Sequence, residues 1–400
     1  MFSGNRGLTP AIHNLIGQLS YAGWLWFLTL WIMRMYGPEE LGRLSYVFAV
    51  VSPLLLFAHF QLRNRLAAQP ELLIKISEYL KIRTHLLIVV VGISLFWTLN
   101  IGGIGVSFVL SVLAFKVMES TSELLHGVLQ AEHSLLKVAQ SQILKTVAAL
   151  LAMLITTWFK LELSFFFYLL AILFLVITLF CEWRISSTLK NRSPTTLSSW
   201  QIIQQDPHLI SLGLMAWLIS VNASWPRYFL EHYLGLSQLG HFTALFAIFA
   251  GLGLVQNAWL QGSMSELRLN ARRKLVLQFA QIIGFHLVTY LVLKYFGQEL
   301  VTGMFGRPIE FSLEMISILV ACSLVAGLCS VLYYYLLTEK SMKRQWQILV
   351  LVNLVTILSA GWFIPRVGPV GAFASLLIGS LVQLLCYAVL SSHELTRRRL

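Results

Sequence analysis

The sequence is poor in charged residues and in cysteine. Only 12% of its 400 residues are charged and 57% are hydrophobic, whereas soluble globular domains carry about 25% charged residues. These proportions exclude a soluble enzyme and a disordered chain. The cysteines lie in apolar stretches and form no C-x-x-C pair, which argues against a disulfide scaffold or a metal site. A polytopic membrane protein remains.

Apolar runs recur along the whole chain, separated by short gaps that Gly and Pro punctuate. A membrane-spanning helix needs about 20 predominantly apolar residues. The sequence therefore predicts an all-α polytopic membrane protein with twelve transmembrane helices, at 11–33, 44–62, 84–102, 106–130, 138–159, 163–183, 209–230, 241–262, 275–296, 310–338, 345–365 and 370–392.

Basic residues are distributed unevenly between the two ends of these spans. With the N-terminus placed in the cytoplasm, 20 of the 29 Lys and Arg residues fall on the inner side and 7 on the outer side. Lys and Arg concentrate in cytoplasmic loops, so both termini are expected in the cytoplasm. This bias also explains the net charge of +12, and no nucleic-acid partner is expected.

The chain repeats itself about its midpoint. Residues 35–50 align with residues 233–248 and share five of sixteen positions, where ordinary composition predicts about one. The identical positions are Gly37/Gly235, Leu41/Leu239, Gly42/Gly240, Phe48/Phe246 and Ala49/Ala247. Both segments join the first two helices of a six-helix half.

The repeat predicts how the helices are grouped. Six is an even number, so the two halves have the same orientation in the membrane. We predict two six-helix bundles, 1–190 and 209–400, related by a pseudo-two-fold axis along the membrane normal. A polar cytoplasmic linker at 191–208 is expected to join them.

The fourth predicted helix carries charged residues inside the membrane. Five polar residues at spacings of three and four share one of its faces, namely Lys116, Glu119, Glu123, His126 and Gln130. A charge at the centre of a bilayer costs roughly 2.5–3.5 kcal/mol on insertion scales. This face is therefore expected to line a wet cavity or to pair with another helix.

The fifth predicted helix offers a partner. Lys145 lies at the same depth as Glu123 on an antiparallel neighbour, so a Glu123–Lys145 ion pair is geometrically natural. Such a pair is either functional or only a salt bridge that lets the helices insert. The residues alone leave both interpretations open.

Arginines stand at the ends of three other helices. Arg34 ends the first helix, Arg63 closes the second on the inner side, and Arg227 follows Pro226 near the outer end of the seventh. A single arginine in such a position more often reaches the lipid headgroups than binds a ligand. Several of them converging on one cavity would form an anion site, because guanidinium groups match phosphate oxygens.

Several short motifs resemble those of a known transporter family. Residues 34–42, RMYGPEELG, resemble the R-x-x-G-P-E-E-x-G turn of bacterial polysaccharide-biosynthesis or O-antigen (Wzx-type) flippases. These belong to the multidrug/oligosaccharidyl-lipid/polysaccharide exporter superfamily. Further segments that resemble this family are Gln61–Arg63, Gly127–Gln130, Pro226–Gly235 with Leu239–Gly240, and Gly368–Ala372.

The resemblance implies a cargo and a mechanism. The cargo would be a polyprenyl-pyrophosphate-linked oligosaccharide, moved across a bacterial inner membrane by two bundles that alternate in access. Arg34, Arg63, Lys116, Lys145 and Arg227 would attract the pyrophosphate, whereas Glu119, Glu123 and His126 would couple transport to protons. No cofactor is expected. A polysaccharide polymerase and chain-length machinery are expected as partners.

Two other functions fit a chain with many transmembrane helices. A drug or cation antiporter of the same superfamily would need an acidic cavity, and the intramembrane lysines favour an anionic cargo instead. A membrane oligosaccharide polymerase would need a sizeable outer loop with catalytic residues. The longest outer gap, 297–309, holds only Glu299 and Arg307 as charged residues, which argues against an enzyme.

Overall fold

The computed structural model is helical throughout the part of the chain that it describes. The described residues are 8–100, 104–184, 186, 189, 197–206, 208–262, 271–307, 309, 312–338 and 345–397. The long helices are α1 (Leu8–Met35), α2 (Pro38–His59), α4 (Ile76–Leu99), α5 (Val106–Ala131), α6 (Leu135–Trp158), α7 (Leu163–Ile177), α9 (His208–Gly262), α10 (Ala271–Phe305), α11 (Leu313–Thr338), α12 (Gln345–Val367) and α13 (Pro369–Arg397).

These helices account for twelve membrane crossings. Ten stretches of the described helices are long and apolar enough to span a bilayer. One of them, at His208–Gln256, covers 49 residues and is broken by the non-helical backbone of Gly235, so it holds two crossings. The twelfth is α5, which is long enough to span a bilayer but is not among these ten because of the charged residues on one of its faces. The predicted all-α, twelve-helix fold class is confirmed.

Short elements lie between the long helices. Helix α3 (Leu62–Ala68) follows a kink at Phe60 and Gln61, both of which have φ near +49°. A 3₁₀ turn at Pro70–Lys75 then leads into α4. Helix α7 continues as a π-helical turn at Thr178–Trp183. A π turn shifts the side chains around the helix axis and is often found at functional sites.

The segment predicted to link the two bundles is partly structured. Residues 191–196 and 207 of the predicted linker lie outside the described residues. Helix α8 (Ser199–Gln205) begins at a capping box formed by Ser198 and Gln201. Arg65 Nη1 donates to Asp206 Oδ2 over 2.6 Å, and Lys81 Nζ donates to the carbonyl of Leu197 over 2.6 Å. These bonds attach α8 to α3 and α4.

The helices group into two compact units. Unit 1 contains residues 1–28 and 50–217, and unit 2 contains residues 29–49 and 218–400. The adjoining ends of α1 and α2 therefore belong to the same unit as the C-terminal helices. The predicted division into bundles at 1–190 and 209–400 remains a prediction.

Within unit 2 the two copies of the repeat pack against each other. A Cβ atom at Gly42 would overlap the carbonyl oxygen of Leu236, and one at Gly240 would overlap that of Pro38. Because Pro38 and Gly42 correspond to Leu236 and Gly240 at the repeat offset of 198, the contact is reciprocal, as across a local two-fold axis. The equivalent hydroxyls of Ser45 and Thr243 also share a hydrogen bond of 2.7 Å.

The repeated turn glycines have a backbone role. Gly37 has φ +95° and Gly235 has φ +79°. Glycine adopts this region without the steric cost that a Cβ atom imposes. Each glycine lets the chain turn just before the tight crossing of α2 and α9, so the sequence repeat reflects a repeated turn and close approach.

Candidate functional site

The charged face of α5 lines a cavity inside unit 1. The cavity has a volume of about 360 Å³ and is lined by Tyr21, Ser52, Leu55, Leu56, His59, Arg63, Lys116, Glu119, Ser120, Ser122, Glu123, His126 and Gln142. Five of the eight predicted site residues therefore meet in one place. A polar cavity lowers the free-energy cost of placing charged groups in a bilayer, because the groups can pair with one another away from the lipid.

Lys116 and Glu119 form an ion pair on the wall of the cavity. Lys116 Nζ donates to Glu119 Oε2 over 2.7 Å, and Tyr21 of α1 donates its hydroxyl to Glu119 Oε1 over 2.6 Å. Both oxygens of this carboxylate are therefore engaged. The ring of Phe115 lies 5.5 Å from Lys116 Nζ and provides a cation–π contact.

Glu123 faces the cavity beside a histidine of α2. His59 Nδ1 lies 2.5 Å from Glu123 Oε2, and the side chain of Glu123 is 37% exposed. His59 Nε2 lies 2.9 Å from the hydroxyl of Ser120. Arg83 of α4 donates to both the hydroxyl and the carbonyl of Ser120. Glu123 is thus the most accessible carboxylate of the α5 face.

The predicted Glu123–Lys145 pair is wrong. Lys145 Nζ instead donates to Glu182 Oε1 over 2.5 Å and to the hydroxyl of Ser122. His126 Nε2 lies 2.9 Å from the same oxygen of Glu182. Equal depth on two antiparallel helices sets the height of a side chain but not the direction in which it points. Helix α7 packs against both α5 and α6, and its last turn brings Glu182 to Lys145.

Arg63 reaches the cavity because the segment Gln61–Arg63 packs against the segment Gly127–Gln130. The backbone of Arg63 packs against Gly127, where a Cβ atom would lie 2.7 Å from the Cα atom of Arg63. Arg63 Nε then lies 3.4 Å from Gln130 Oε1, a weak hydrogen bond. Within the described residues, Arg63 forms no ion pair with a carboxylate, so its guanidinium is the group best suited to bind an anion.

Arg34 and Arg227 belong to unit 2 rather than to the unit that holds the cavity. Arg34 Nη2 donates to the carbonyl of Gly303 over 2.5 Å. The guanidinium of Arg227 lies 4.8 Å from the ring of Phe246. The five predicted cations are therefore divided between the units, three in unit 1 and two in unit 2.

Sequence reasoning missed Glu182 and Arg83. Glu182 is the one carboxylate within the predicted span 163–183. Arg83 lies just before the predicted span 84–102, where a basic residue is expected at the membrane surface, yet it is 3% exposed. The available signal was the lone acidic residue in a span beside Lys145. Among the described residues, no group of three His, Cys, Asp or Glu is placed to hold a metal ion.

Comparison with known proteins supports this architecture. No protein-family model matches the chain. It is 21% identical over 373 residues to the capsular polysaccharide biosynthesis protein CapF of Staphylococcus aureus, covering 89% of this chain and 92% of that protein. This likeness agrees with the resemblance drawn from the motifs.

Two solved structures share the fold. The chain is similar to the lipid II flippase MurJ in an inward closed conformation, with a TM-score of 0.67 and 11% identity over 97% of this chain and 88% of that one. It is also similar to an outward-facing multidrug resistance MATE family transporter of the MOP superfamily, with a TM-score of 0.66 and 12% identity over 97% and 96%. The chain is thus a multi-pass membrane protein with the fold of these two proteins, and the likenesses agree with the resemblance of its motifs.

Proposed function

We propose that this protein is a flippase that moves a polyprenyl-pyrophosphate-linked oligosaccharide across the cytoplasmic membrane by alternating access. The observation that carries the proposal is the cavity of unit 1, in which Arg63 and Lys116 stand among hydroxyl, amide and imidazole groups and the two carboxylates of Glu119 and Glu123. Glu119 is paired with Lys116 and Glu123 with His59, which leaves Arg63 as the cation without a carboxylate partner among the described residues. The flippase fold and the likeness to a capsular polysaccharide biosynthesis protein support it.

The chemistry of the cavity suits each part of such a cargo. A pyrophosphate and sugar hydroxyls cannot cross hydrocarbon without compensation for their lost hydration. Arg63 and Lys116 would receive the pyrophosphate, and Ser52, Tyr21 and Gln142 offer hydrogen bonds to sugars. The lipid tail would stay in the bilayer.

Three further cations belong to the same proposal. Arg34, Lys145 and Arg227 are candidates for attracting the pyrophosphate at some stage of the transport cycle. Glu119, Glu123 and His126 would couple transport to protons, because all three line the cavity that receives the cargo.

The orientation of the chain follows from its basic residues. We place both termini in the cytoplasm of a bacterium, with the polymerase and chain-length machinery as partners at the membrane. Reporter fusions test the orientation. Alkaline phosphatase fused after Arg397 is expected to be inactive, and the same enzyme inserted after Gly306 is expected to be active.

A cation or drug antiporter is the second candidate. Glu123 favours it, since this carboxylate is 37% exposed and Glu119 lies one turn away. The MATE family transporter with the same fold is a multidrug resistance protein. Against it, both acidic groups are already matched within unit 1, Glu119 by Lys116 and Glu123 by His59.

Lipid analysis of cells that lack the protein distinguishes the two candidates. We expect polyprenyl-pyrophosphate oligosaccharide to accumulate on the cytoplasmic leaflet and surface polysaccharide to be lost. No accumulation, together with hypersensitivity to cationic dyes, would instead establish the antiporter.

The Lys116→Ala variant tests the site directly. Removing this amine is expected to abolish flipping while the protein remains folded, because Lys116 lies on the cavity wall rather than in the deeper ion pair. Lys294→Ala is the matched control, since Lys294 is exposed on α10. Normal flipping by Lys116→Ala would overturn the assignment.

A further inference from the structure

Glu182 has two unequal carboxylate oxygens. Oε1 accepts hydrogen bonds from Ser122 over 2.8 Å, from Lys145 over 2.5 Å and from Ser141, and it lies 2.9 Å from His126 Nε2. Oε2 is buried, and no described residue forms a hydrogen bond with it. The side chain is 0% exposed. Oε1 is therefore crowded with donors, whereas Oε2 accepts no hydrogen bond from a described residue, so the carboxylate is only half satisfied.

His126 connects this buried carboxylate to the cavity. Its ring lines the cavity, and its Nε2 atom lies at hydrogen-bond distance from Glu182. Ser122 touches both as well, but a hydroxyl does not titrate near neutral pH. His126 is thus the titratable group that touches both the cavity and Glu182 in the described part of unit 1.

We propose that Glu182 takes up a proton when an anion enters the cavity. This inference rests on the proposed function, since it requires an anionic cargo such as a pyrophosphate. A proton from cavity water binds His126 Nδ1. The N–H bond at Nε2 then breaks as an O–H bond forms at Glu182 Oε1, the oxygen 2.9 Å away, and His126 is left neutral with its proton on Nδ1. The net change is the transfer of one proton from water to one carboxylate.

The coupling follows from the charge of Lys145. While Glu182 is ionised, the two side chains neutralise each other. Protonation of Glu182 leaves the Lys145 cation buried without a counter-ion, which costs several kcal/mol in a protein interior. A pyrophosphate in the adjoining cavity compensates that charge. Anion binding therefore favours proton uptake, and by linkage proton uptake favours anion binding to the same extent.

The surroundings of Glu182 contain charges of both signs. The titratable groups that interact with Glu182 are Tyr21 from α1, Arg63 from α3, His126 from α5 and Lys145 from α6. Glu119 and Glu123 line the same cavity as His126. Glu119 and Glu123 have partners of their own, Lys116 and His59. Lys145 is therefore the cation whose positive charge is neutralised most directly by Glu182.

A purely structural ion pair makes a different prediction. If Lys145 and Glu182 only allow three helices to insert together, their charges stay constant during anion binding. No proton then follows the anion. A measurement of protons bound per anion distinguishes the two roles, whereas a loss of activity alone would not.

Titration calorimetry of the full-length protein in lipid nanodiscs tests the proposal, with inorganic pyrophosphate as the probe. Each titration is run in two buffers of different ionisation enthalpy, which reports the protons taken up. The wild type is expected to bind about one proton more per pyrophosphate than Glu182→Gln. Proton exchange of the probe itself is common to both proteins and cancels. Glu162→Gln, an exposed change at the other end of α7, is expected to match the wild type.

The pH dependence of affinity gives a second readout. The affinities of the wild type and of Glu182→Gln for pyrophosphate are compared as the pH is raised. With one linked proton, each unit of pH increase is expected to lower the wild-type affinity by up to about tenfold more than that of Glu182→Gln. If Glu182→Gln does not fold, the double variant Lys145→Met with Glu182→Gln replaces it, because a buried pair tolerates joint removal.

The outcomes separate this inference from the proposed function. Equal proton uptake by the wild type and the Glu182 variants would overturn the inference and leave anion binding intact. If the wild type does not bind pyrophosphate at all, both the proposed anionic cargo and the proposed linkage to Glu182 are disproved.

Discussion

The two units differ in what their interiors contain. Every buried Asp, Glu, Lys or Arg among the described residues lies in unit 1, at Arg83, Lys145, Glu182 and Asp206. A buried polar cluster of unit 2 consists of Gln256, His286 and Ser323, with Gln256 Nε2 2.8 Å and Ser323 Oγ 3.0 Å from His286 Nε2. None of these three side chains is a carboxylate, a lysine or an arginine.

The two copies of the repeat therefore share backbone turns and close helix crossings, but the two units do not share buried charged residues in the part of the chain that the structure describes. The glycines that repeat at an offset of 198 serve turns and close helix crossings in both copies. A buried charge in a membrane protein is costly and calls for a function or a partner. Among the described residues the buried charges are therefore confined to unit 1, whereas the buried cluster of unit 2 rests on neutral hydrogen bonds. Four substitutions test this contrast.

The largest effect is expected for Lys145→Ala. It leaves Glu182 as an unpaired buried charge, so the free energy of unfolding is expected to fall by roughly 3–5 kcal/mol, as measured by denaturation in detergent. The double variant Lys145→Met with Glu182→Leu is expected to regain most of this loss. Arg43→Ala, which breaks an exposed pair with Glu39 and Glu40, serves as control. A loss no larger than that of Arg43→Ala would remove the distinction between the units.

Gly42→Ala is expected to destabilise unit 2 through packing alone. The added Cβ atom would meet the carbonyl oxygen of Leu236, and overpacking typically costs about 1–3 kcal/mol. Gly253 is the matched control, because a Cβ atom there meets nothing within 4 Å and a helical Gly→Ala change stabilises by up to about 1 kcal/mol. Thermal unfolding of both variants measures the difference. If both shift in the same direction, the tight crossing is not a determinant of stability.

Asp206→Ala tests the buried charge that follows helix α8 in unit 1. It removes the acceptor of the Arg65 and Tyr79 hydrogen bonds, and we expect helix α8 to lose about 1 kcal/mol of local stability. Hydrogen exchange over 199–205 measures this loss. Glu71→Ala, an exposed carboxylate on the 3₁₀ turn, is expected to leave exchange unchanged. Protection that survives Asp206→Ala would show that apolar contacts alone hold the helix.

The smallest effect is expected for His286→Leu. Interhelical hydrogen bonds in membranes contribute about 0.6 kcal/mol on average, so stability is expected to change little. Transport is expected to continue, in contrast to Lys116→Ala. A transport assay in cells compares the two variants at equal expression. Loss of transport in His286→Leu would place functional chemistry in unit 2 as well.

Much of the fold could be predicted because the bilayer constrains it strongly. Length and apolarity identify twelve spans, and the period of α5 predicts that Lys116, Glu119, Glu123 and His126 share one face. The cavity that this face lines could not be predicted in detail. Ion-pair partners depend on which helices are neighbours and on how far each is rotated, and a sequence reports neither.

The helices, the repeat and the charged face of α5 follow from residue type and spacing, because each depends on one element at a time. The pairing of Lys145 with Glu182 rather than with Glu123 depends instead on how the helices pack. The reason lies in the π turn at Thr178–Trp183 and in the packing of α7 against α5 and α6, which direct Glu182 to the lysine. The kink at Phe60 and Gln61 and the close approach at Gly127 likewise decided that Arg63 enters the cavity. Contacts between distant segments are set by how helices pack, which periodicity does not encode.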